Sequence, residues 1–448
     1  MALNTNSKLE RGLSLTQATA INMIDMVGIG PFVTISFVAA NLKGPLCLLA
    51  WLLGALLAYM DGMVWAEMGA KWPESGGSYV FLQNLFGNKF GKLMAFLFIW
   101  QTLIQAPLTA ASAAIGFSKY FQYLCPLSVL EQKALSGGLI LLIIALLYRN
   151  IKSIGKISVI LSIVTICTIL WLLFSSIGHM DYSKVLDMSN TDFHFSQLFF
   201  VYLGQSSVKA VYSYLGYYNV CHLGGEIKKP EINIPKSIFI SITGIAILYL
   251  SMQTVVIGVL PWQQVAKSEF IVSEYFEHIY NHSIALVATA LILCIALASL
   301  FSLLLGYSRV PYAAALNGDF FPIFAKVHPK HKIPHISLLC IGLLAFIFSL
   351  LFKMKDVITA IITMRILIQF VSQAVGVIAW RKLKPHDTRP FSMPLFPLPA
   401  IISIVIWLFL LFTSEPQFIL GAIGFIALGV ILYFVKNKYI KPLPQKTS

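Results

Sequence analysis

The chain has 448 residues, of which 58% are hydrophobic and only 11% are charged, with a mean hydropathy of +0.81. Soluble domains are nearer half apolar and a quarter charged, and a water-soluble fold of this size has too little interior to hide so much apolar surface. A net charge of +14 would suit a nucleic-acid partner, but its distribution along the chain argues for a membrane instead.

The first dozen residues are polar. The apolar stretch after them is long enough to span a bilayer and has no small-residue cleavage pattern behind it, so no cleavable signal peptide is expected. A span needs about 20 mainly apolar residues. Twelve such stretches follow, at roughly 18–40, 45–66, 93–117, 135–149, 157–178, 197–222, 237–260, 284–306, 336–352, 357–380, 397–413 and 418–435. They are numbered spans 1 to 12. Lipid-facing backbone must bond within its own segment, so these are helices, and the expectation is one all-α membrane domain over 1–448 with tails at 1–17 and 436–448. With alternating loops and the N-terminus inside, about 23 Lys/Arg fall in cytoplasmic segments and about 7 outside, the positive-inside bias. Both termini are thus expected in the cytoplasm, in a multi-pass protein of the cell (plasma or inner) membrane. The six cysteines are Cys47, Cys125, Cys167, Cys221, Cys294 and Cys340. No two form a CxxC pair, and they indicate neither a metal site nor a disulfide framework.

Span 1 contains Asp25-Met26-Val27-Gly28-Ile29-Gly30-Pro31-Phe32. Inside a helix Gly costs about 1 kcal/mol and Pro about 3 kcal/mol relative to Ala, so this segment predicts a break. Span 6 has a weaker one, Tyr212-Ser213-Tyr214-Leu215-Gly216-Tyr217-Tyr218-Asn219. Close helix packing would explain Gly28 and Gly30 but does not require Pro31. Breaks at matching positions of two halves point to a transporter's central site.

These residues resemble the amino acid–polyamine–organocation superfamily of permeases, from about residue 12 to 400. Four stretches carry the resemblance: Val27 to Phe32, Ala66 to Tyr79, Gly225 to Lys236, and Ser308-Arg309 through Asn317-Gly318-Asp319, with Arg389-Pro390-Phe391 in support. The resemblance implies a LeuT-like five-plus-five inverted repeat with broken helices 1 and 6, plus helices 11 and 12, and alternating access around a midplane site. It implies amino acid substrates, with polyamines as the alternative. The substrate carboxylate would sit on the amides of Ile29 and Gly30 and the ammonium on the carbonyls of Met26, Tyr212 and Leu215, with Gly28 and Gly216 completing the two breaks. Pro31 lacks the N–H of the third family donor. Tyr212 holds the position of an aromatic gate, and Tyr217 stands where many relatives have tryptophan.

A zwitterion needs both of its charges satisfied away from water, and half-helix ends can do this with backbone. The side-chain walls read as apolar or aromatic, with Gln101, Gln105 and Ser112 of span 3 as polar exceptions, so a neutral amino acid is expected. Charged residues within spans are functional hypotheses by default. Asp25 lies one turn before the break and is a candidate for the substrate ammonium or a proton. Arg365 lies about 12 Å into span 10 by helical rise. Asp61 and Glu67 lie near the inner half of span 2; Glu67 and Lys209 read as structural. In relatives that the chain resembles, a proton-linked lysine in the middle of span 5 can fill the usual sodium position; here Ser158, Ser162 and Thr165 stand there and no lysine does. Coupling is therefore expected through a proton on Asp25 or by exchange. The alternative is Na⁺ held by Thr165, Ser299, Ser302 and span 1 carbonyls, since hard cations take oxygen ligands. No cofactor, metal or nucleic acid, and no obligate protein partner, is expected beyond substrate and bilayer. A membrane enzyme would need a nucleophile–base pair or metal cluster, and a channel a continuous polar pore; neither is legible. A non-transporting sensor on the same fold stays open.

Overall fold

The computed structural model describes residues 9–149, 151–186, 188, 196–351 and 354–439. Each expected span is helical. Span 1 is two helices, Leu15–Met26 and Gly30–Asn41, bent by 43°. Spans 2 to 5 are Cys47–Lys71, Lys92–Phe121, Val129–Leu147 and Ile151–Ser175. Span 6 is Gln197–Tyr214 followed by the single turn Asn219–His222. Spans 7 to 9 are Pro230–Val259, His282–Tyr307 and His335–Leu351. Span 10 runs from Met354–Arg365 through a π-helical turn, Ile366–Val371, into Ser372–Leu383. Spans 11 and 12 are Leu398–Thr413 and Pro416–Tyr439.

Among the described residues, eight helices are long and apolar enough to cross a bilayer, and the bent pair of span 1 makes a ninth. Spans 9 and 11 are apolar but shorter, and span 6 carries Gln205, Ser206, Ser207 and Lys209 within its first helix. Large exposed apolar side chains, among them Leu52, Ile160, Phe174, Leu343 and Phe412, lie on the outer faces. In water such a belt would be a liability; in lipid it is the expected surface.

The helix of span 1 starts earlier than its apolar stretch. Ser14 accepts from the amide of Gln17, and the Gln17 side chain accepts from the Ser14 amide, a capping box that opens the helix at Leu15. The expected tail of 1–17 therefore ends at the cap, and on the other side helix continues to Tyr439. Residues 1–8 and 440–448 lie outside the described residues.

Packing pairs equivalent members of the two halves. Span 2 lies on span 7, span 3 on span 8, and the second helix of span 1 on the first helix of span 6. The Trp51 indole donates to Gln253 Oε1 (2.8 Å), tying spans 2 and 7 in the buried interior.

One end of the bundle carries residue 9 and the basic loops, and it is cross-linked. Arg309 grips Glu226 through two bonds of 2.8 and 2.9 Å, both side chains being buried. Arg381 grips Glu67, which also accepts from the amide of Met393 (2.8 Å). Lys71 pairs with Asp387 at 2.5 Å. The chain entering span 1 is bound there as well, with the amides of Gly12 and Leu13 on the carbonyl of Glu226. Deeper in the bundle, Asp61 is buried and accepts from Tyr217, Trp65, Ser403 and Trp407. It thereby joins span 2, the break of span 6 and span 11.

Candidate substrate site between the two helix breaks

Three residues, Val27 to Ile29, separate the two helices of span 1. Val27 bonds back to the carbonyl of Met23 and Gly28 to that of Met26, which ends the first helix. The second helix opens at Gly30 with Pro31 in its first turn. The amides of Ile29, Gly30 and Phe32 have no acceptor among the described residues. A helix start leaves such donors free. The donor that Pro31 lacks is thus followed at once by that of Phe32.

Span 6 breaks because Gly216 takes φ +125°, a conformation that side chains disfavour. A Cβ at Gly216 would lie 2.8 Å from the amide nitrogen of Met26 and 2.9 Å from the carbonyl carbon of Asp25. Glycine here lets the two breaks touch. The unwound backbone is satisfied by side chains from outside. Asn22 donates to the carbonyl of Tyr217 (2.7 Å) and accepts from the amide of Val220 (2.9 Å). Asn219 reaches the carbonyl and hydroxyl of Ser302, both at 2.9 Å.

Between the breaks is a small cavity of about 50 Å³. Span 1 contributes Asp25, Met26, Gly28, Ile29 and Gly30. Span 6 contributes Tyr212, Ser213, Leu215, Gly216 and Tyr218. Thr109 and Ala113 come from span 3, Ser299, Leu303 and Tyr307 from span 8, and Ile361 and Arg365 from span 10. Every substrate-site residue expected from the sequence therefore lines one cavity. Tyr212 lines it too: its ring lies 3.2 Å from where a Cβ of Gly30 would stand, and its hydroxyl is 3.3 Å from Ser112 Oγ. The polar wall differs from expectation. Gln101, Gln105 and Ser112 are buried outside the lining, and Arg365 is in it. Side-chain direction around a helix axis decides this, and composition does not record it.

Asp25 reaches the cavity with no hydrogen bond or ion pair to its carboxylate among the described residues. The carbonyl of Met26, expected to face the substrate ammonium, is already bonded by Tyr249 of span 7 (2.8 Å). The same hydroxyl is 3.2 Å from the carbonyl of Ser213. Tyr249 was not legible as a site residue; the available signal was a tyrosine one turn before Gln253 in an otherwise apolar span.

The coupling candidates divide. Ser299 donates to the carbonyl of Asp25 (3.3 Å) and Ser302 to that of Ile21 (2.8 Å), so both span 8 hydroxyls meet span 1 carbonyls. Thr165 is buried in span 5 with its hydroxyl unbonded and lies outside the cavity lining. Lys209 lies with its ammonium 5.3 Å from the ring of Phe37.

A model of the amino acid permease family matches residues 13–435, from the strand-like entry into span 1 to the end of span 12. The chain belongs to the amino acid permease family. It is an all-α membrane transporter of amino acids in the amino acid–polyamine–organocation superfamily. It is similar to the methylthioribose transporter of Bacillus subtilis, 25% identical over 98% of this chain and 95% of the relative. It is equally similar to the branched-chain amino acid permease of the same organism, 25% identical over 99% of this chain and 97% of that protein. The cationic amino acid transporter 4 of Mus musculus is 24% identical over 87% of this chain and 63% of its own length. The permease framework is common to all three, and their names specify different cargoes.

Proposed function

We propose that the cavity between the breaks is the amino acid site and that this permease works by alternating access with a proton carried on Asp25. The observation behind this reading is the pairing in one cavity of two groups that have no partner among the described residues: the amides at Ile29 and Gly30 and the carboxylate of Asp25. Free amides at a helix start attract a carboxylate, and a carboxylate in a low-dielectric cavity attracts an ammonium or a proton. The carbonyl of Leu215 adds an acceptor, whereas that of Met26 is held by Tyr249. Span 8 hydroxyls donate to span 1 carbonyls, so a Na⁺ there would have to displace both bonds, and Thr165, the third expected ligand, lies outside the cavity lining. The basic end, cross-linked by ion pairs, is the cytoplasmic end by the positive-inside rule, so both termini face the cytoplasm. A neutral amino acid satisfies every contact named so far. A polyamine would bring a second ammonium toward Arg365.

The test is uptake of labelled amino acids into proteoliposomes under imposed gradients, with wild type beside Asp25→Asn. The expected result is proton-driven uptake that Asp25→Asn loses while counterflow exchange persists. Uptake driven by Na⁺ alone and unchanged in Asp25→Asn would refute the coupling.

A further inference from the structure

The seats for the α-amino and α-carboxyl groups leave Arg365 unused. Its helix ends at this residue and gives way to the π-helical turn Ile366–Val371, a device that re-aims side chains within a span. Arg365 is 2% exposed. Its Nε donates to Gln369 Oε1 (2.8 Å) and its Nη2 to the hydroxyl of Tyr218. The rings of Tyr218 and Phe370 lie 5.1 Å from the guanidinium. Nη1 has no bonding partner among the described residues, and no carboxylate comes within the 4.0 Å of an ion pair. A cation in the membrane interior is ordinarily paired. The nearest acid in the same wall, Asp25, stands off from it. An oriented guanidinium with a free N–H in the cavity wall is the geometry that takes a carboxylate.

We propose that Arg365 receives an anionic group at the end of the substrate side chain, so that this permease carries acidic amino acids together with one proton on Asp25. This rests on the cavity being the amino acid site. Charge counting links the two parts. The empty site holds one negative charge on Asp25 and one positive charge on Arg365, a net of zero. An acidic amino acid adds one net negative charge, and one proton on Asp25 restores neutrality. Release of the substrate and then of the proton regenerates the neutral empty site. Both states that must cross between the two openings are then uncharged, which avoids moving a net charge through low dielectric. The groups facing Asp25 are Arg365 from span 10, Tyr212 and Tyr218 from span 6, Tyr307 and Ser299 from span 8, and Tyr249 near its own carbonyl turn from span 7. None of them besides Arg365 is a cation.

The experiment uses the full-length protein in proteoliposomes with labelled aspartate, glutamate, leucine and succinate. Wild type is expected to take up aspartate or glutamate, faster with an inward proton gradient and at a rate unchanged by an imposed membrane potential. Succinate, which lacks the amine, is expected not to compete. Arg365→Gln is expected to weaken the acidic substrate at least tenfold more than leucine, and Arg365→Lys to restore part of that selectivity. Failure of both acidic amino acids to compete at 100-fold excess, with leucine carried normally, overturns the proposal and leaves the cavity as the site. Uptake of acidic substrate that follows the potential overturns the charge count. Equal loss for leucine and the acidic substrates in both variants, with normal insertion and melting, overturns the selectivity role. Normal uptake by Gly30→Leu would instead overturn the site itself.

Discussion

Tyr249 and Met26 meet where the first helix of span 1 ends: the phenol donates to the Met26 carbonyl at 2.8 Å, within 3.2 Å of the Ser213 carbonyl in span 6. One side chain of span 7 therefore ties both broken spans together. Tyr249→Phe would strand the Ser213 carbonyl and leave the Met26 carbonyl only its 3.2 Å bond from the Gly28 amide, at a cost of about 1–3 kcal/mol. The expected outcome is a lower melting temperature in detergent and weaker substrate binding with normal insertion. Unchanged melting and binding would mean that the breaks hold without this hydroxyl.

The glycines of the two breaks should fail in different ways. At Gly30 a Cβ meets the Tyr212 ring at 3.2 Å, so Gly30→Ala needs only a small ring shift. Gly30→Leu would fill the space over the free amides and should abolish uptake while melting stays near wild type. Gly216→Ala faces backbone at 2.8 Å with φ +125°, and should destabilise the fold itself, by about 1–3 kcal/mol of strain. Comparing uptake and melting across the three variants separates these roles. A stable, inactive Gly216→Ala would contradict the assignment.

Glu226 ends a short turn after span 6 and Arg309 opens a short helix after span 8, and the two form a buried bidentate pair. Removing one partner leaves a buried charge, at about 3–5 kcal/mol. Glu226→Leu or Arg309→Met alone should lower stability by that order, and the double variant should lose less than the worse single one. A double-mutant cycle on purified protein reads this directly; additive losses would show that the two side chains act independently.

At the same end the Lys71 ammonium, bonded to Asp387, holds that carboxyl below its usual range. A carboxylate with a lowered folded value adds stability above its unfolded value of about 3.9 and loses it as pH falls through the folded value. Amide protection factors in the loop around 384–392, taken against the intrinsic exchange rate at each pH, should therefore be high at pH 6 and lower at strongly acid pH. Asp387→Asn should be weakly protected at both. Equal protection in wild type and variant at pH 6 would deny the link.

Sidedness has a direct test. Cysteines introduced at Lys184 and Lys267 should react with an impermeant reagent added outside, and those at Lys229 and Lys330 should not. The reverse pattern would invert the topology.

Much of the fold was legible because lipid imposes it locally. A run of apolar residues must be helical, and Gly28, Gly30 and Pro31 break a helix whatever surrounds them. Gly216 was a weaker signal, since one glycine among aromatics does not require unwinding; Asn22 and Asn219, which satisfy the unwound backbone, explain how it is tolerated. Asp61 was legible only as an acid within span 2; its donors come from three segments of the chain.

The sequence alone determined the number of spans, the positions of both breaks and the end that carries the basic loops, because hydropathy, helix propensity and charge bias act over a few residues. Only the tertiary structure decided which buried polar groups share the cavity. It placed Arg365 in the cavity lining with Asp25, left Gln101, Gln105 and Ser112 outside, and bonded the Met26 carbonyl to Tyr249. Those outcomes depend on how each helix is turned about its axis when it packs, and that rotation is fixed by contacts between segments far apart in the chain.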